Sequence, residues 1–245
     1  MKTIRLDKFL ADAQQGTRSE VKQLLKKGLV TVNGEIIKKS EHKIDPEHDR
    51  VCFGNQVISL QKEVYYMLNK PAGIISATED RKERTVLDLF QAKDRRPELF
   101  PVGRLDKDTV GLLLITNDGA LAHRLLSPRN HVDKTYLVHT DKAIPQEAIE
   151  AFEKGLDIGD EKNTLPARLE LLPHPSLHQA LVTIHEGRFH QIKRMFHAIG
   201  CEVIYLKRIS MGSLILDEDL PEGSYRPLSD EELRTLLELH KLSLL

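Results

Sequence analysis

The clearest strand signal in the chain lies in Gly103-Arg104-Leu105-Asp106-Lys107-Asp108-Thr109-Val110-Gly111-Leu112-Leu113-Leu114-Ile115-Thr116. Its second half is a short, continuous apolar run, which is typical of a buried β-strand. Asn117-Asp118-Gly119 then interrupts the chain before a helical pattern begins. Asp106 therefore lies in a loop that leads into a rigid strand. A carboxylate in this place suits a nucleophile or an acid–base group, and it also suits a simple turn or helix cap.

Strand and helix patterns alternate on both sides of this segment. On its N-terminal side, 64–69 predicts a strand and Lys70-Pro71-Ala72-Gly73 predicts a turn. On its C-terminal side, we predict strands over 136–139, 167–171 and 180–185, and helices over 146–154, from about 190 to Gly200, and over 229–239. This order indicates an α+β domain built on a mixed or antiparallel sheet. A polar break at 60–63 divides the chain into domains 1–60 and 61–245.

The first domain reads as two short helices followed by a β-hairpin. Thr17 and Glu20 have the spacing of a capping box, and Gly28 ends the helix that the box begins. Asn33-Gly34 separates two apolar strands and is the pair most typical of a two-residue hairpin turn. The sequence therefore predicts a small helical-hairpin and β module in front of the larger domain.

Charge is distributed unevenly along a chain that is close to neutral. The formal net charge is -1, yet residues 1–43 hold ten basic and five acidic side chains, and residues 216–245 hold three basic and eight acidic ones. Arg18, Lys22 and Lys26 recur every fourth residue, which places them on one face of the predicted second helix. Such a stripe can follow a phosphate backbone, and the alternative is an ordinary solvated helix face.

Composition excludes several classes of protein. The chain has 245 residues, of which 40% are hydrophobic and 30% are charged, and this composition is that of a globular protein with a real core. No apolar run approaches the roughly 20 residues that cross a bilayer, and the N-terminus resembles no signal peptide. Two cysteines provide neither a disulfide framework nor paired zinc ligands. We therefore expect a cytoplasmic protein with no membrane contact and no metal.

Further polar side chains stand at the edges of predicted elements. His190, Lys193 and His197 share the polar flank of the helix that precedes Gly200, where a cation can meet an anion. No third metal ligand has a spacing that joins the two histidines, and solvated side chains are the alternative interpretation. Tyr136 begins an apolar strand and, taken alone, is an ordinary amphipathic β residue.

The N-terminal motifs resemble a known RNA-binding module. Arg5-Leu6-Asp7-Lys8-Phe9-Leu10, Thr17-Arg18-Ser19-Glu20 and Gly28-Leu29-Val30-Thr31-Val32-Asn33-Gly34 are similar to the small domain named after ribosomal protein S-four. The resemblance implies that the two helices and the hairpin form a surface for structured RNA. The matching basic positions are Arg5, Lys8, Arg18, Lys22 and Lys26.

The remaining motifs, in their order and spacing, resemble the ribosomal small-subunit-type pseudouridine synthases. They are Leu68-Asn69-Lys70-Pro71-Ala72-Gly73, Gly103-Arg104-Leu105-Asp106, Lys134-Thr135-Tyr136, Gly187-Arg188-Phe189-His190-Gln191-Ile192-Lys193-Arg194-Met195 and Leu206-Lys207-Arg208. By this resemblance Asp106 is the catalytic aspartate, Tyr136 stacks on the target base and Lys193 is the basic partner of Asp106. It also implies substrate-binding roles for Arg104, Leu206, Arg188 and Gln191, with Leu206 as an apolar wall. Val110 departs from the small or polar residue more usual at its place.

The resemblance implies an enzyme that isomerises one uridine in ribosomal RNA and needs no cofactor. The moderate length and the absence of a basic tail favour small-subunit (16S) rRNA. Nothing in the sequence indicates the oligomeric state, and a monomer is the default expectation. The alternatives are a large-subunit (23S) rRNA pseudouridine synthase and a non-catalytic RNA-binding protein of ribosome assembly. A carboxylate hydrolase needs a second acid near Asp106, and Asp108 is available in the sequence.

Overall fold

The computed structural model describes residues 3–13, 15–46, 48–58, 63–96, 98–127 and 130–239. The chain forms two compact units, Met1–Lys62 and Glu63–Leu245. The boundary expected near residue 60 falls on 59–62, which lie outside the described residues. Within the described ranges, no helix has the length and apolar character that crossing a membrane requires.

The first unit packs two helices against small antiparallel sheets. Helix α1 is Leu6–Asp12 and helix α2 is Arg18–Lys26. The described strands are β1 (Ile4–Arg5), β2 (Val30–Val32), β3 (Glu35–Ile36), β4 (Lys43–Ile44), β5 (Val51–Phe53) and β6 (Gln56–Ile58). β1 pairs with β4, and the other strands form a sheet in the order β3-β2-β5-β6. The predicted order of two helices followed by a hairpin is confirmed.

Local sequence signals determine how this unit begins and turns. The Thr17 hydroxyl accepts a hydrogen bond from the Glu20 amide, and the Glu20 carboxylate accepts one from the Thr17 amide, so the predicted capping box is present. Asn33 and Gly34 both have positive φ, as the hairpin turn requires. Leu6, Leu10 and Leu25 are fully buried between the helices and the sheet. The unit therefore has its own hydrophobic core.

The second unit is built on one nine-stranded sheet, and the predicted α+β class is confirmed. The main strand order is β11-β12-β10-β13-β9-β7-β15, with β13 and β9 parallel and the other neighbours antiparallel. The strands are β7 (Tyr65–Lys70), β8 (Phe100–Pro101), β9 (Val110–Thr116), β10 (Lys134–Thr140), β11 (Arg168–Leu172), β12 (His178–Ile184), β13 (Val203–Met211), β14 (Leu214–Ile215) and β15 (Tyr225–Pro227). The helices are α3 (Gly119–Leu126), α4 (Ala148–Lys154), α5 (Gln191–Ala198) and α6 (Asp230–Leu239), and a 3-10 turn spans Val86–Leu89.

Both faces of this sheet are covered. One core contains Leu113 of β9 together with Phe152 of α4 and Phe196 of α5, and the other contains Leu112 of β9 together with Leu236 of α6. Every residue of β9 is buried because alternate side chains enter opposite cores. This is why the strand reads as a continuous apolar run rather than as an alternation.

The parallel contact between β9 and β13 positions the loop that contains Asp106. Gly111 lies beside Arg208, and a Cβ atom at Gly111 would be 2.3 Å from the Arg208 carbonyl oxygen. Gly111 also has a φ of 101°, which only glycine adopts without strain. The two strands therefore approach closely where β9 begins, and the preceding loop lies beside β10 and β13.

Candidate active site

Hydrogen bonds hold the backbone of the loop between β8 and β9 in place. The Ser76 hydroxyl donates to the Leu105 carbonyl oxygen over 2.9 Å and accepts from the Leu105 amide over 3.0 Å. The Thr109 amide donates to the Asp106 carbonyl oxygen over 3.1 Å. These bonds fix the backbone on both sides of the Asp106 carboxylate, whose side chain is 28% exposed.

Lys70, at the end of β7, supports the same loop from inside the protein. Its side chain is fully buried, and Nζ donates to the carbonyl oxygens of Thr109 (2.9 Å), Pro71 (3.0 Å) and Lys107 (3.3 Å). Burial lowers the pKa of Lys70 to about 8, although the carboxylates of Asp108 and Asp106 oppose that shift. The sequence pattern predicts Lys70 in a turn with no role in the site, whereas Lys70 is the last residue of β7 and its ammonium is buried beside the loop.

Lys193 of α5 lies between two carboxylates. Its Nζ is 3.2 Å from Oδ2 of Asp106 and 2.6 Å from Oδ1 of Asp108. Burial by itself lowers the pKa of Lys193, but the hydrogen bond to Asp108 and the charge of Asp106 outweigh it, so the net shift is upward. Burial by itself raises the pKa of Asp108, and the hydrogen bond from Lys193 reverses that shift. Lys193 therefore pairs with both acids, and the shorter of the two contacts is to Asp108.

Helix α5 orients this lysine because its apolar face is anchored in the core. Ile192, Met195 and Phe196 are buried, whereas Lys193 lies on the more polar flank. His190 precedes the helix in a left-handed conformation with φ 50°, and its Nε2 is 3.6 Å from Oδ1 of Asp106. Of the three side chains expected together on one polar flank, His190 and Lys193 both approach Asp106, whereas His197 lies 2.6 Å from Glu202.

Two buried side chains from neighbouring strands form the inner part of a cleft beside Asp106. Tyr136 on β10 is 7% exposed and Leu206 on β13 is 6% exposed. In the register of these strands Val138 faces Leu206, so Tyr136 and Leu206 lie two residues apart along the same pair of strands. The cleft thus combines a flat aromatic ring and an apolar wall with the Asp106 carboxylate and the Lys193 ammonium.

The other three residues expected to contact the substrate differ in the partners of their polar atoms. Arg104, Arg188 and Gln191 all line the cleft, and Arg104 is exposed there. The Arg188 guanidinium donates to Glu186 and to the carbonyl oxygens of 162 and 163. The Gln191 side chain accepts from the Arg188 amide and donates to Glu186. The polar groups of Arg188 and Gln191 thus hold the loop before α5.

The five basic positions expected to bind RNA in the first unit are all exposed. Lys8 is exposed on α1, and Arg18, Lys22 and Lys26 are exposed along α2. Arg5 is also exposed, but its Nε and Nη2 donate to the Asp7 carboxylate over 3.0 and 2.8 Å, and this pairing lowers the pKa of Asp7. The stripe on α2 is thus the more open of the expected phosphate contacts.

Within the described ranges, no three His, Cys, Asp or Glu side chains converge as metal ligands. The cleft instead offers an ionisable carboxylate beside a cation, next to an aromatic surface of the size of a nucleobase. This combination can hold a base by stacking, with a carboxylate that is paired with a cation next to it.

Comparison with known proteins gives consistent matches over both units. A family model described as RNA pseudouridylate synthase matches residues 64–198, and an S4 domain model matches residues 4–51. YtzG of Bacillus subtilis (strain 168), which is named an uncharacterized RNA pseudouridine synthase, is 46% identical over 96% of this chain and 99% of its own length. Ribosomal small subunit pseudouridine synthase A of Escherichia coli (strain K12) is 42% identical over 96% of this chain and 100% of its own.

A solved structure also matches over nearly the full length of both chains. A crystal structure of a pseudouridylate synthase superimposes with a TM-score of 0.66 at 38% identity, covering 95% of this chain and 99% of that one. The cleft that contains Asp106 lies in the second unit, and the match to the pseudouridylate synthase family model lies in the same unit. The chain therefore belongs to the RNA pseudouridylate synthase family and carries an S4 domain at its N-terminal end.

Proposed function

We propose that this protein converts one uridine of small-subunit (16S) rRNA to pseudouridine, with Asp106 as the catalytic residue. The observation that carries the proposal is the Asp106 carboxylate 3.2 Å from the Lys193 ammonium, in a cleft that Tyr136 and Leu206 also line. The relatives named ribosomal small subunit pseudouridine synthase A support the choice of rRNA.

The reaction is an isomerisation, so its atoms balance without a co-reactant. The bond from ribose C1′ to uracil N1 breaks, the base turns, and a bond from C1′ to C5 forms while C5 loses a proton and N1 gains one. The base cannot turn while it is stacked and paired, so the nucleotide must leave the helix at a cost of a few kcal/mol. Stacking on an aromatic ring contributes about 1–3 kcal/mol per base, and Tyr136 provides that ring.

Asp106 acts as an ionised carboxylate in this proposal, either as a nucleophile or as a base. A neighbouring cation can stabilise negative charge that develops on the reacting atoms. Lys193 supplies that cation from a helix whose apolar face is buried, so its ammonium needs little reorganisation during the reaction. Asp108 holds Lys193 in place through the shorter contact.

The other cleft residues receive different roles. Leu206 closes the apolar side of the base pocket, and Arg104, which is exposed, contacts the RNA next to the target. Arg188 and Gln191 act through position, because their polar atoms fix the loop that leads to Lys193. The exposed stripe of Arg18, Lys22 and Lys26 binds phosphates in the S4 domain.

The proposal extends to the form and the place in which the protein acts. We propose that the protein acts as a monomer. Ribosomal RNA is processed in the bacterial cytoplasm, so we place the protein there. The proposed domains are 1–60 for RNA binding and 61–245 for catalysis.

The test is to map pseudouridines in rRNA by carbodiimide-dependent stops of reverse transcription. Cells that lack the gene are compared with the same cells carrying the wild type, Asp106→Asn or Asp219→Asn. We expect one 16S rRNA stop to disappear with the gene and to return with the wild type and with Asp219→Asn, a matched change at an exposed aspartate. Asp106→Asn should not restore it.

Three results would contradict the proposal. Restoration of the stop by Asp106→Asn would remove Asp106 from the chemistry. A stop that disappears from 23S rRNA instead would assign the protein to the large subunit, and an unchanged pattern would favour a non-catalytic RNA-binding role.

A further inference from the structure

Phe189 is an aromatic residue at the edge of the cleft, and the proposed chemistry does not use its side chain. Its side chain is 74% exposed, although it directly precedes His190, which lines the cleft. Single exposed apolar residues are common on protein surfaces and usually need no explanation. Phe189 differs because its ring and its backbone are both held in place beside the proposed catalytic residue.

The ring of Phe189 is stacked on the imidazole of His190. The two ring centroids are 3.8 Å apart and the planes are within 18° of parallel. Nε2 of the same imidazole is 3.6 Å from Oδ1 of Asp106, so a single ring separates the Phe189 ring from the proposed catalytic carboxylate. One face of Phe189 is covered by His190, and its high exposure leaves the other face open to a ligand.

The backbone beneath this ring is fixed by two arginines. Nη1 of Arg194 donates to the Phe189 carbonyl oxygen over 3.1 Å. Arg188, the preceding residue, is tied to Glu186 and to the carbonyl oxygens of 162 and 163. A phenylalanine has few side-chain torsions to restrict, so a surface held in this way loses little entropy when it binds a ligand.

We propose that the open face of Phe189 stacks on a nucleobase next to the target uridine. The inference rests on the function proposed above and adds a specific RNA contact to it. Tyr136 and Leu206 lie within the cleft and hold the target base, whereas Phe189 lies outside it and is free for a different base. A neighbour of the flipped nucleotide loses a stacking partner at that moment, and the Phe189 ring replaces it.

Three substitutions separate stacking from a general apolar contact. Phe189→Leu keeps an apolar side chain but removes the π face, whereas Phe189→Tyr and Phe189→Trp keep an aromatic ring. We measure kcat/KM on small-subunit rRNA from cells that lack the gene. Phe189→Leu should lower it by about 5- to 150-fold, the range expected for one stacked base. The aromatic variants should stay within about threefold of the wild type, and all three should fold, since the side chain is exposed.

A direct readout follows from the composition of the chain, which contains no tryptophan. Phe189→Trp therefore introduces a single indole fluorophore whose emission is quenched when a base stacks on it. The titration uses the same rRNA and an Asp106→Asn background, so the RNA remains unmodified. Ile215→Trp is the control, because Ile215 is 70% exposed on β14 and does not line the cleft. We expect quenching of the Phe189→Trp variant and little change in the Ile215→Trp variant.

The outcomes keep this inference separate from the proposed function. If the wild type modifies the rRNA, Phe189→Leu does so equally fast and the Phe189→Trp variant is not quenched, the stacking role is wrong and the function stands. Equal losses in the leucine and aromatic variants, without quenching, would indicate that the exact shape of the phenylalanine matters for the local protein structure and would also overturn the inference. If the wild type does not modify the rRNA and the rRNA does not quench the Phe189→Trp variant, both proposals fail.

Discussion

At the scale of single residues, the proposed chemistry depends on two lysines in opposite environments. Lys193 is partly exposed between two carboxylates, and its pKa is raised. Lys70 is fully buried, its described hydrogen-bond partners are carbonyl oxygens, and its pKa is lowered to about 8. Lys193 therefore contacts the Asp106 carboxylate directly, whereas Lys70 contacts the backbone of the loop that contains Asp106.

Replacing Lys70 with methionine tests this positioning role. Lys70→Met keeps an unbranched side chain of similar length but removes the three hydrogen bonds to the loop. Small displacements of a reacting group are costly, so we expect kcat to fall by about 10- to 100-fold while KM for the rRNA changes little. Single-turnover and steady-state rates measure this, and a selective rise in KM would contradict it.

The pH dependence of stability checks that Lys70 is a buried charge. Its pKa is about 8 in the folded protein and 10.5 in the unfolded reference, so the unfolded chain binds more protons between these values. The free energy of unfolding of the wild type, relative to Lys70→Met, should therefore rise with pH from 8 to 10.5, by up to about 1.4 kcal/mol for each pH unit. Urea denaturation of both proteins at several pH values measures the difference, and a flat profile would show that Lys70 is not a desolvated cation.

At the scale of elements, α2 combines a strong start with an organised charged face. The capping box begins the helix, Val21 and Leu25 bury its apolar side, and the basic stripe is left exposed. A rigid helix keeps the three cations at fixed spacing, which an unstructured basic segment does not do. The stripe is therefore suited to regularly spaced phosphates.

The salt dependence of RNA binding tests this stripe. Replacing Arg18, Lys22 and Lys26 with glutamine should lower the slope of log K against log salt concentration by about 2 to 3, because each phosphate contact contributes about 0.7 to 0.9. A matched control replaces Lys27, Lys38 and Lys39, which are also exposed in the S4 domain, and removes the same charge. Equal effects of the two triple variants would show that only net charge matters.

At the scale of the whole second unit, the contact of β9 with β13 joins the loop that contains Asp106 to the strands that line the cleft. Gly111 allows this contact, since a side chain there would meet the Arg208 backbone. Strands β10 and β13 of the same sheet place Tyr136 and Leu206 in the cleft, and both faces of β9 are buried in it. Stability and the geometry of the site thus depend on the same packing.

Gly111→Ala should therefore destabilise the catalytic unit by more than about 2 kcal/mol, through the positive φ and the backbone overlap together. Gly119→Ala is the control, because Gly119 begins α3 and a Cβ there meets nothing within 4 Å. Thermal unfolding of the two variants measures the difference. An unchanged Tm for Gly111→Ala would contradict the close approach of the strands.

The sequence alone determined the elements whose signals are local. The capping box at Thr17, the Asn33-Gly34 turn, the buried run of β9 and the end of α5 at Gly200 depend on neighbours a few residues apart, and each was predictable. The resemblance to a known family likewise identified Asp106, Tyr136 and Lys193 as candidates, since motif order and spacing are properties of the chain itself.

Only the tertiary structure decided which side chains meet. Lys193 contacts both Asp106 and Asp108, and the Lys70 ammonium donates to the backbone of the loop that contains Asp106. The Arg188 guanidinium donates to a backbone carbonyl oxygen of the protein itself. These contacts join residues far apart in the sequence, and they depend on strand register and on the close approach of β9 and β13. Local sequence patterns carry no information about such distances. Many arrangements of the strands and helices would bury the same apolar faces, and only the assembled sheet selects one of them.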